Sequence, residues 1–267
     1  MKLGVCEKDL PGGLRENLEW IAAQGFDGFQ VWKEAIDGSG LDAKGALAAA
    51  YDLGLEVSAV GGGPNLVDPK AADDSVEKFR GFLDLAVELG PRIVTAETKR
   101  KPDDLSEDDA WKSTVETVSR ISEYAEEVEA ALAVECSGGC FIRDHDMFLT
   151  LAGKVGSAAL KVNLDPANIL LADRDPIQAT RKLARYTVHA HAKDVGRREI
   201  EGAGVDTFDV PVGEGLVDYP AWIAALRETG YDGYLTIEMH ARGRDRREDI
   251  RRSLANLRGF LEEEGSK

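Results

Sequence analysis

Short runs of strand-forming apolar residues alternate along the chain with longer stretches in which apolar residues recur every three or four positions. Lys2 to Cys6 predicts the first strand, and Leu14, Leu18, Ile21 and Ala22 predict a helix that Gly25 stops. Phe29 to Trp32 follows as a strand, then a helix around Ala43 to Leu53 closed by Gly54, and a strand from Leu55 to Val60 ended by Gly61-Gly62-Gly63-Pro64. Val76, Phe79, Leu83, Ala86 and Leu89 share one face of a helix from Asp73 to Leu89, which Gly90-Pro91 ends before a strand at Arg92 to Ala96. Ser106 caps a long helix with acids in its first turn, and Leu132 to Glu135 is the next strand. A helix near Asp144 to Leu151 leads to a strand at Leu160 to Asp165, and Asp175-Pro176 opens another helix before a strand at Tyr186 to Asp194. A loop rich in charge and glycine, a helix around Trp222, a strand at Tyr234 to Met239 and a helix through Ile250, Leu254, Leu257 and Leu261 complete the series.

One junction is used twice. Gly25-Phe26-Asp27-Gly28-Phe29 returns as Gly230-Tyr231-Asp232-Gly233-Tyr234, with a glycine after the helix and an aromatic at the head of the strand. About eight strands, each followed by a helix, predict a parallel sheet. The 267 residues are close to the roughly 250 of a closed barrel of eight such units, so the expectation is a single (β/α)8 TIM barrel over residues 1–267.

Side chains two apart on a strand share a face, so the polar positions can be assigned a side. With Glu135 inward, Ala133 is inward and Val134 faces the helices; with Asp165 inward, so is Asn163. The seventh strand turns His189, His191 and Lys193 inward, and the eighth turns Thr236, Glu238 and His240 inward. The outward positions are apolar in all four strands. Acids and histidines are costly to bury unless paired or bound to a metal, and these lie at the carboxyl ends of adjacent strands, where barrels build active sites. Glu135, Asp165, His191 and Glu238 supply three oxygen donors and one nitrogen. That set suits one divalent ion, Mn²⁺ foremost, with Mg²⁺, Co²⁺ or Zn²⁺ as alternatives.

Several motifs carry a resemblance. Glu135, Asn163-Leu164-Asp165-Pro166-Ala167-Asn168, His191-Ala192-Lys193-Asp194, Gly213-Glu214-Gly215 and the stretch ending at Glu238 resemble the sugar phosphate isomerase/epimerase family. This is the xylose-isomerase-like barrel group of ketose 3-epimerases, hydroxypyruvate isomerases and inosose dehydratases. The resemblance implies that Glu135, Asp165, His191 and Glu238 are the metal ligands. Asn168 and Arg197 fall where ketose 3-epimerases bind substrate, although those enzymes usually have a histidine at the first position. They also have an acid six residues after the first ligand glutamate, where this chain has Phe141.

The implied chemistry is proton transfer beside a carbonyl. A dication holding a carbonyl and its neighbouring hydroxyl stabilises an enediolate, with Glu135 and Glu238 on two sides of the substrate as base and acid. Return of the proton to the opposite face epimerises, return to the neighbouring carbon isomerises, and loss of a β-hydroxyl dehydrates. The first expectation is an isomerase or epimerase of a small sugar, ketose or hydroxy-keto compound. A dehydratase of a keto-sugar or keto-inositol, and a sugar-binding barrel without turnover, are the alternatives. Lys193, His240, Glu97 and Trp32 are further candidate substrate contacts, and Asn163, His189 and Asp194 are candidates for holding the ligands in place.

Charge narrows the partners. A net charge of −16 opposes nucleic acid and anionic membranes, and with only four histidines it argues against an abasic-site endonuclease on the same barrel. No apolar run suggests a membrane span, and Met1 to Cys6 has no signal-peptide core. Three cysteines fit free thiols, so a cytoplasmic protein is expected, as a homodimer or homotetramer by resemblance. The basic residues Lys99, Arg100, Lys101, Arg242, Arg244, Arg246 and Arg247 could receive a phosphate or carboxylate, or remain solvated.

Overall fold

The computed structural model describes residues 1–200, 204–240 and 245–265. Eight parallel strands close into a barrel in the order β1, β10, β7, β6, β5, β4, β3, β2. In chain order these are β1 (Lys2–Cys6), β2 (Gly28–Trp32), β3 (Glu56–Gly62), β4 (Ile93–Glu97), β5 (Ala131–Glu135), β6 (Leu160–Leu164), β7 (Thr187–Ala192) and β10 (Tyr234–Ile237). The helices α1 (Leu14–Gln24), α3 (Ala43–Asp52), α4 (Ala72–Leu89), α5 (Glu107–Glu127), α6 (His145–Val155), α8 (Pro176–Leu183), α9 (Tyr219–Glu228) and α10 (Arg246–Gly265) accompany them. Apolar residues of helices and strands form one core cluster that includes Phe79, Phe148 and Trp222, all fully buried.

The capping signals act as their chemistry requires. Ser106, Asp144 and Asp175 each accept backbone N–H groups at the first turn of a helix. Gly25 and Gly230, the repeated junction, both adopt positive φ, 78° in each case, which lets the chain leave the helix and enter the next strand.

The structure departs from the sequence expectation in the loops at the carboxyl end of the barrel. Strand β7 stops at Ala192 instead of running to Asp194, and the stretch expected as a loop forms an antiparallel hairpin, β8 (Asp194–Ile200) with β9 (Gly204–Val210). Its cross-strand ion pair is Arg198 with Asp206, at 2.7 Å. Two short helices were also not expected, α2 (Lys33–Ser39) and α7 (Pro166–Leu171). The glycine run does not end β3 but carries it on to Gly62.

Candidate metal centre

Register brings the inward polar residues into rows across the barrel. Glu97 pairs with Glu135 in β4–β5, Glu135 with Asn163 in β5–β6, Asn163 with His189 in β6–β7, and His191 with Thr236 in β7–β10. Asp165 lies just past β6 as the N-cap of α7, with Pro166 at the first helical position. Glu238 lies just past β10, and its backbone N–H donates to the Ala192 carbonyl. Ligand atoms of Glu135, Asp165, His191 and Glu238 all lie within 4.8 Å of one another, and all four residues are buried.

Each is held by named partners. The Asn163 side-chain amide donates to Glu135 Oε2 at 2.6 Å, and the Asn168 amide donates to Glu135 Oε1 at 2.6 Å. The Lys193 ammonium donates to Glu238 Oε2 at 3.1 Å. His191 Nδ1 lies 3.0 Å from Glu135 Oε2 and 3.8 Å from Glu238 Oε2. Asp165 Oδ1 accepts the Asn168 backbone N–H, whereas the buried Asp165 Oδ2 has no partner. A buried, unpartnered carboxylate oxygen is costly. On a residue whose carboxylate comes within 4.8 Å of three other ligand-type atoms, it is the feature expected where a cation belongs.

The electrostatics agree. Burial pushes the Asp165 carboxyl up to about 7; Lys193 opposes this, and Glu135 and Glu238 reinforce it. Burial also works against ionisation of Glu238, but His191 and Lys193 hold its carboxyl well below the usual range. The His191 imidazole is disfavoured as a cation by burial, yet Glu135 and Glu238 raise its pKa well above the ordinary value. A cluster of three acids thus recruits positive charge from its own side chains.

A cavity of about 120 Å³ opens above these groups, lined among others by Lys8, Trp32, Glu97, Glu135, His191 and Glu238. Trp32 forms one wall, with the Lys8 ammonium 3.9 Å from its ring centre. Glu97 is at the cavity, paired to Lys99 at 3.0 Å. His240 is half exposed at the mouth, its Nε2 3.3 Å from Glu238 Oε1. Lys193 pairs with Glu238, not with Asp194 or Glu135.

Two residues expected at the site have partners of their own. Arg197, on the hairpin, lines a cleft with Asn168, Asp173 and Thr207, its guanidinium 3.9 Å from Asp173. Asp194 does not brace a ligand. Its carboxylate accepts the backbone N–H groups of Val195, Gly213, Gly215 and Val217, so it anchors the loop after the hairpin. Asn168, expected to meet substrate, is buried and hydrogen bonds to Glu135. The His189 Nδ1–H donates to Asn163 Oδ1, 2.8 Å away, and so fixes the amide that holds Glu135. Phe141 is buried against Trp111 with ring centres 5.2 Å apart, and so leaves no acid at that position.

Among the basic residues, Lys99 pairs with Glu97, Arg100 with Asp103 and Arg247 with Glu16. Arg242 and Arg244 lie outside the described residues. Sequence reasoning missed Lys8 and Gln30. Gln30 is fully buried and touches His191; a polar residue on the inward face of β2, between Phe29 and Val31, was the available signal.

The model for the xylose isomerase-like TIM barrel family matches residues 18–260. The chain is similar to an inosose dehydratase from Lacticaseibacillus casei, 25% identical over 143 residues that cover 49% of this chain and 47% of that one. The chain therefore spans about half the length of that curated relative. Its fold is similar to D-psicose 3-epimerase from Clostridium cellulolyticum H10, solved with D-tagatose, at a TM-score of 0.81 and 18% identity over 98% of this chain and 99% of that one. It is similar as well to the IOLI protein solved with a zinc atom, at a TM-score of 0.80 and 18% identity over 98% and 99%. Such relatives are enzymes, epimerases and dehydratases among them. No helix among the described residues is long and apolar enough to cross a membrane. With the closed eight-strand barrel and the match over residues 18–260, the chain belongs to the xylose isomerase-like TIM barrel family.

Proposed function

We propose that the protein is a divalent-metal-dependent isomerase or epimerase of a small sugar, ketose or hydroxy-keto compound, with Glu135 and Glu238 transferring the proton. The observation that carries this reading is the convergence of two buried glutamates with Asp165 and His191, all within 4.8 Å, beneath a cavity of about 120 Å³. Glu135, Asp165, His191 and Glu238 would hold the ion, and the unpartnered Asp165 Oδ2 supports that assignment. When bound, the ion supplies Lewis-acid charge to a carbonyl and its neighbouring hydroxyl. The oxygen-rich donor set favours Mn²⁺, Mg²⁺ or Co²⁺, and Zn²⁺ stays open because a similar fold carries zinc.

The chain's own groups divide the remaining work. Glu135 is clamped by two amide N–H groups, and Glu238 by an ammonium, so neither needs to reorganise as a proton moves. One carboxylate removes the proton beside the carbonyl and the other returns it, to the opposite face in an epimerase or to the adjacent carbon in an isomerase. Trp32 offers an apolar wall to a ring, and Lys8 and Glu97 offer polar contacts at the rim.

A second reading, dehydration of a keto-sugar or keto-inositol, is favoured by His240. This half-exposed imidazole is hydrogen bonded to Glu238, which raises its pKa, and it is placed to protonate a departing hydroxyl. The test is exchange from deuterated water into ketoses, keto-acids and keto-inositols, followed by NMR with Mn²⁺ and with chelator. Metal-dependent deuterium beside the carbonyl supports proton transfer, and the product separates epimer, isomer and dehydrated ketone. No exchange across a broad panel would favour a sugar-binding barrel without turnover.

A further inference from the structure

His191 has two ring nitrogens, and only one can face the three carboxylates. Nδ1 lies 3.0 Å from Glu135 Oε2 and 3.8 Å from Glu238 Oε2, while Nε2 points the other way, 2.9 Å from Gln30 Oε1 and 3.9 Å from Cys6 Sγ. Among the described residues a second group of metal-ligating side chains therefore shares this ring: Cys6, His191 and Glu238 also bring ligand atoms within 4.8 Å of one another. Which group a metal selects depends on which nitrogen carries the proton.

Gln30 meets the second ring nitrogen directly. It is fully buried, with its side-chain N–H on Thr95 Oγ1 at 2.8 Å and its amide oxygen 2.9 Å from His191 Nε2. An amide oxygen facing an imidazole nitrogen requires that nitrogen to be the donor. We infer that Gln30 is a positioning residue that keeps a proton on His191 Nε2 and so leaves the Nδ1 lone pair for the ion that Glu135, Asp165 and Glu238 would hold. Asn163 acts compatibly on the other side, its side-chain N–H 3.1 Å from His191 Nδ1. The same Nε2–H···Oε1 contact occupies the face through which Cys6 would share a metal. Partners behind a metal-bound histidine set its tautomer in this way and are worth about 10–100-fold in metal affinity.

This inference rests on the proposed metal centre, and the experiment separates the two. Wild type, Gln30→Met and Thr95→Val are compared, each first checked for a native circular dichroism spectrum. Metal affinity is measured by competition with a chromophoric chelator, and the ring nitrogens are assigned by two-dimensional ¹H–¹⁵N NMR in the zinc form. In wild type the expectation is a metal-bound Nδ1 and a protonated Nε2 on His191, with no thiolate charge-transfer band in the Co²⁺ form. Gln30→Met is expected to lose about 10–100-fold in affinity, and Thr95→Val, which removes the partner of the Gln30 amide N–H and so loosens its hold on His191, a smaller factor in the same direction. Unchanged affinity and an unchanged Nδ1 signal in a folded Gln30→Met protein would overturn the inference and leave the metal centre standing. A thiolate band in wild type would also overturn it, by moving the metal to the Cys6 side. Absence of metal binding in wild type would overturn both. If Gln30→Met does not fold, Thr95→Val decides: an unperturbed affinity and ¹⁵N pattern there would defeat the role given to Gln30.

Discussion

Asp194→Asn offers a direct test of what the loop after the hairpin depends on. Asp194 Oδ1 accepts N–H groups from Val195 and Val217 at 2.9 and 3.1 Å, and Oδ2 accepts those of Gly213 and Gly215 at 3.0 and 2.9 Å. The approach is so close that a Cβ on residue 215 would stand 2.2 Å from Oδ1, so Gly215 is the chain's accommodation to this carboxylate, whereas Gly213 is required by its φ of +84° and by the Phe260 ring, which a Cβ there would meet at 2.8 Å. An amide retains one accepting oxygen and turns its NH₂ onto two N–H donors, so two bonds to a charged acceptor are lost. At about 1.5–3 kcal/mol each, the loss is roughly 3–6 kcal/mol. For a chain of this size that lowers the melting temperature by roughly 6–24 °C. Thermal unfolding followed by circular dichroism measures it, with Mn²⁺ affinity measured alongside. A melting temperature within about 2 °C of wild type would refute the anchoring argument. A large loss of metal affinity at unchanged stability would instead return Asp194 to the support of the metal ligands.

Glu238→Gln is expected to reduce deuterium exchange by about 10²–10⁴-fold while the protein stays folded; wild-type exchange would sink its assigned role. Metal at about 100 times its dissociation constant should add about 2.7 kcal/mol of stability, a rise in melting temperature of roughly 5–11 °C that chelator reverses. Asp165→Asn should abolish most of that rise, and a full shift in this variant would argue against Asp165 as a ligand. Asp9 gives a pH dependence of defined sign. Burial first, and then Glu238, push its carboxyl from 3.8 up to about 6, so the folded state prefers it protonated. Its ionisation costs nothing below the unfolded value, and the cost grows as pH rises from 3.8 to about 6 and is complete above that. In chelator, Asp9→Asn should therefore be more stable than wild type at neutral pH by up to about 3 kcal/mol, with the difference vanishing near pH 4 in urea titrations. Equal stability at all pH values would contradict the assigned burial of charge.

Barrel strands are readable because their two faces meet different media. The outward face is covered by helices and must be apolar, so Val134, Leu164, Ala190 and Ile237 set the parity, and any inward acid or histidine stands out against it. Glu135, Asn163, His189 and His191 were legible for that reason. Gln30 obeys the same parity but carries no charge, so nothing in its strand demands a partner, and only the position of Thr95 and His191 around it reveals a task. Counting along the chain works only while the strand continues. Arg197 is six residues beyond His191, but β7 ends at Ala192, and it is the hairpin that carries Arg197 to the cleft it lines with Asn168. The hairpin itself was hidden because charged side chains such as Arg198 and Asp206 pair across it, leaving none of the apolar alternation that marks a covered strand. Asp194 was misread for a related cause. A charged residue at a strand end looks alike whether it faces a metal or a row of N–H groups, and the deciding signal lay about twenty residues further on, in Gly215, whose missing side chain makes room for its oxygens.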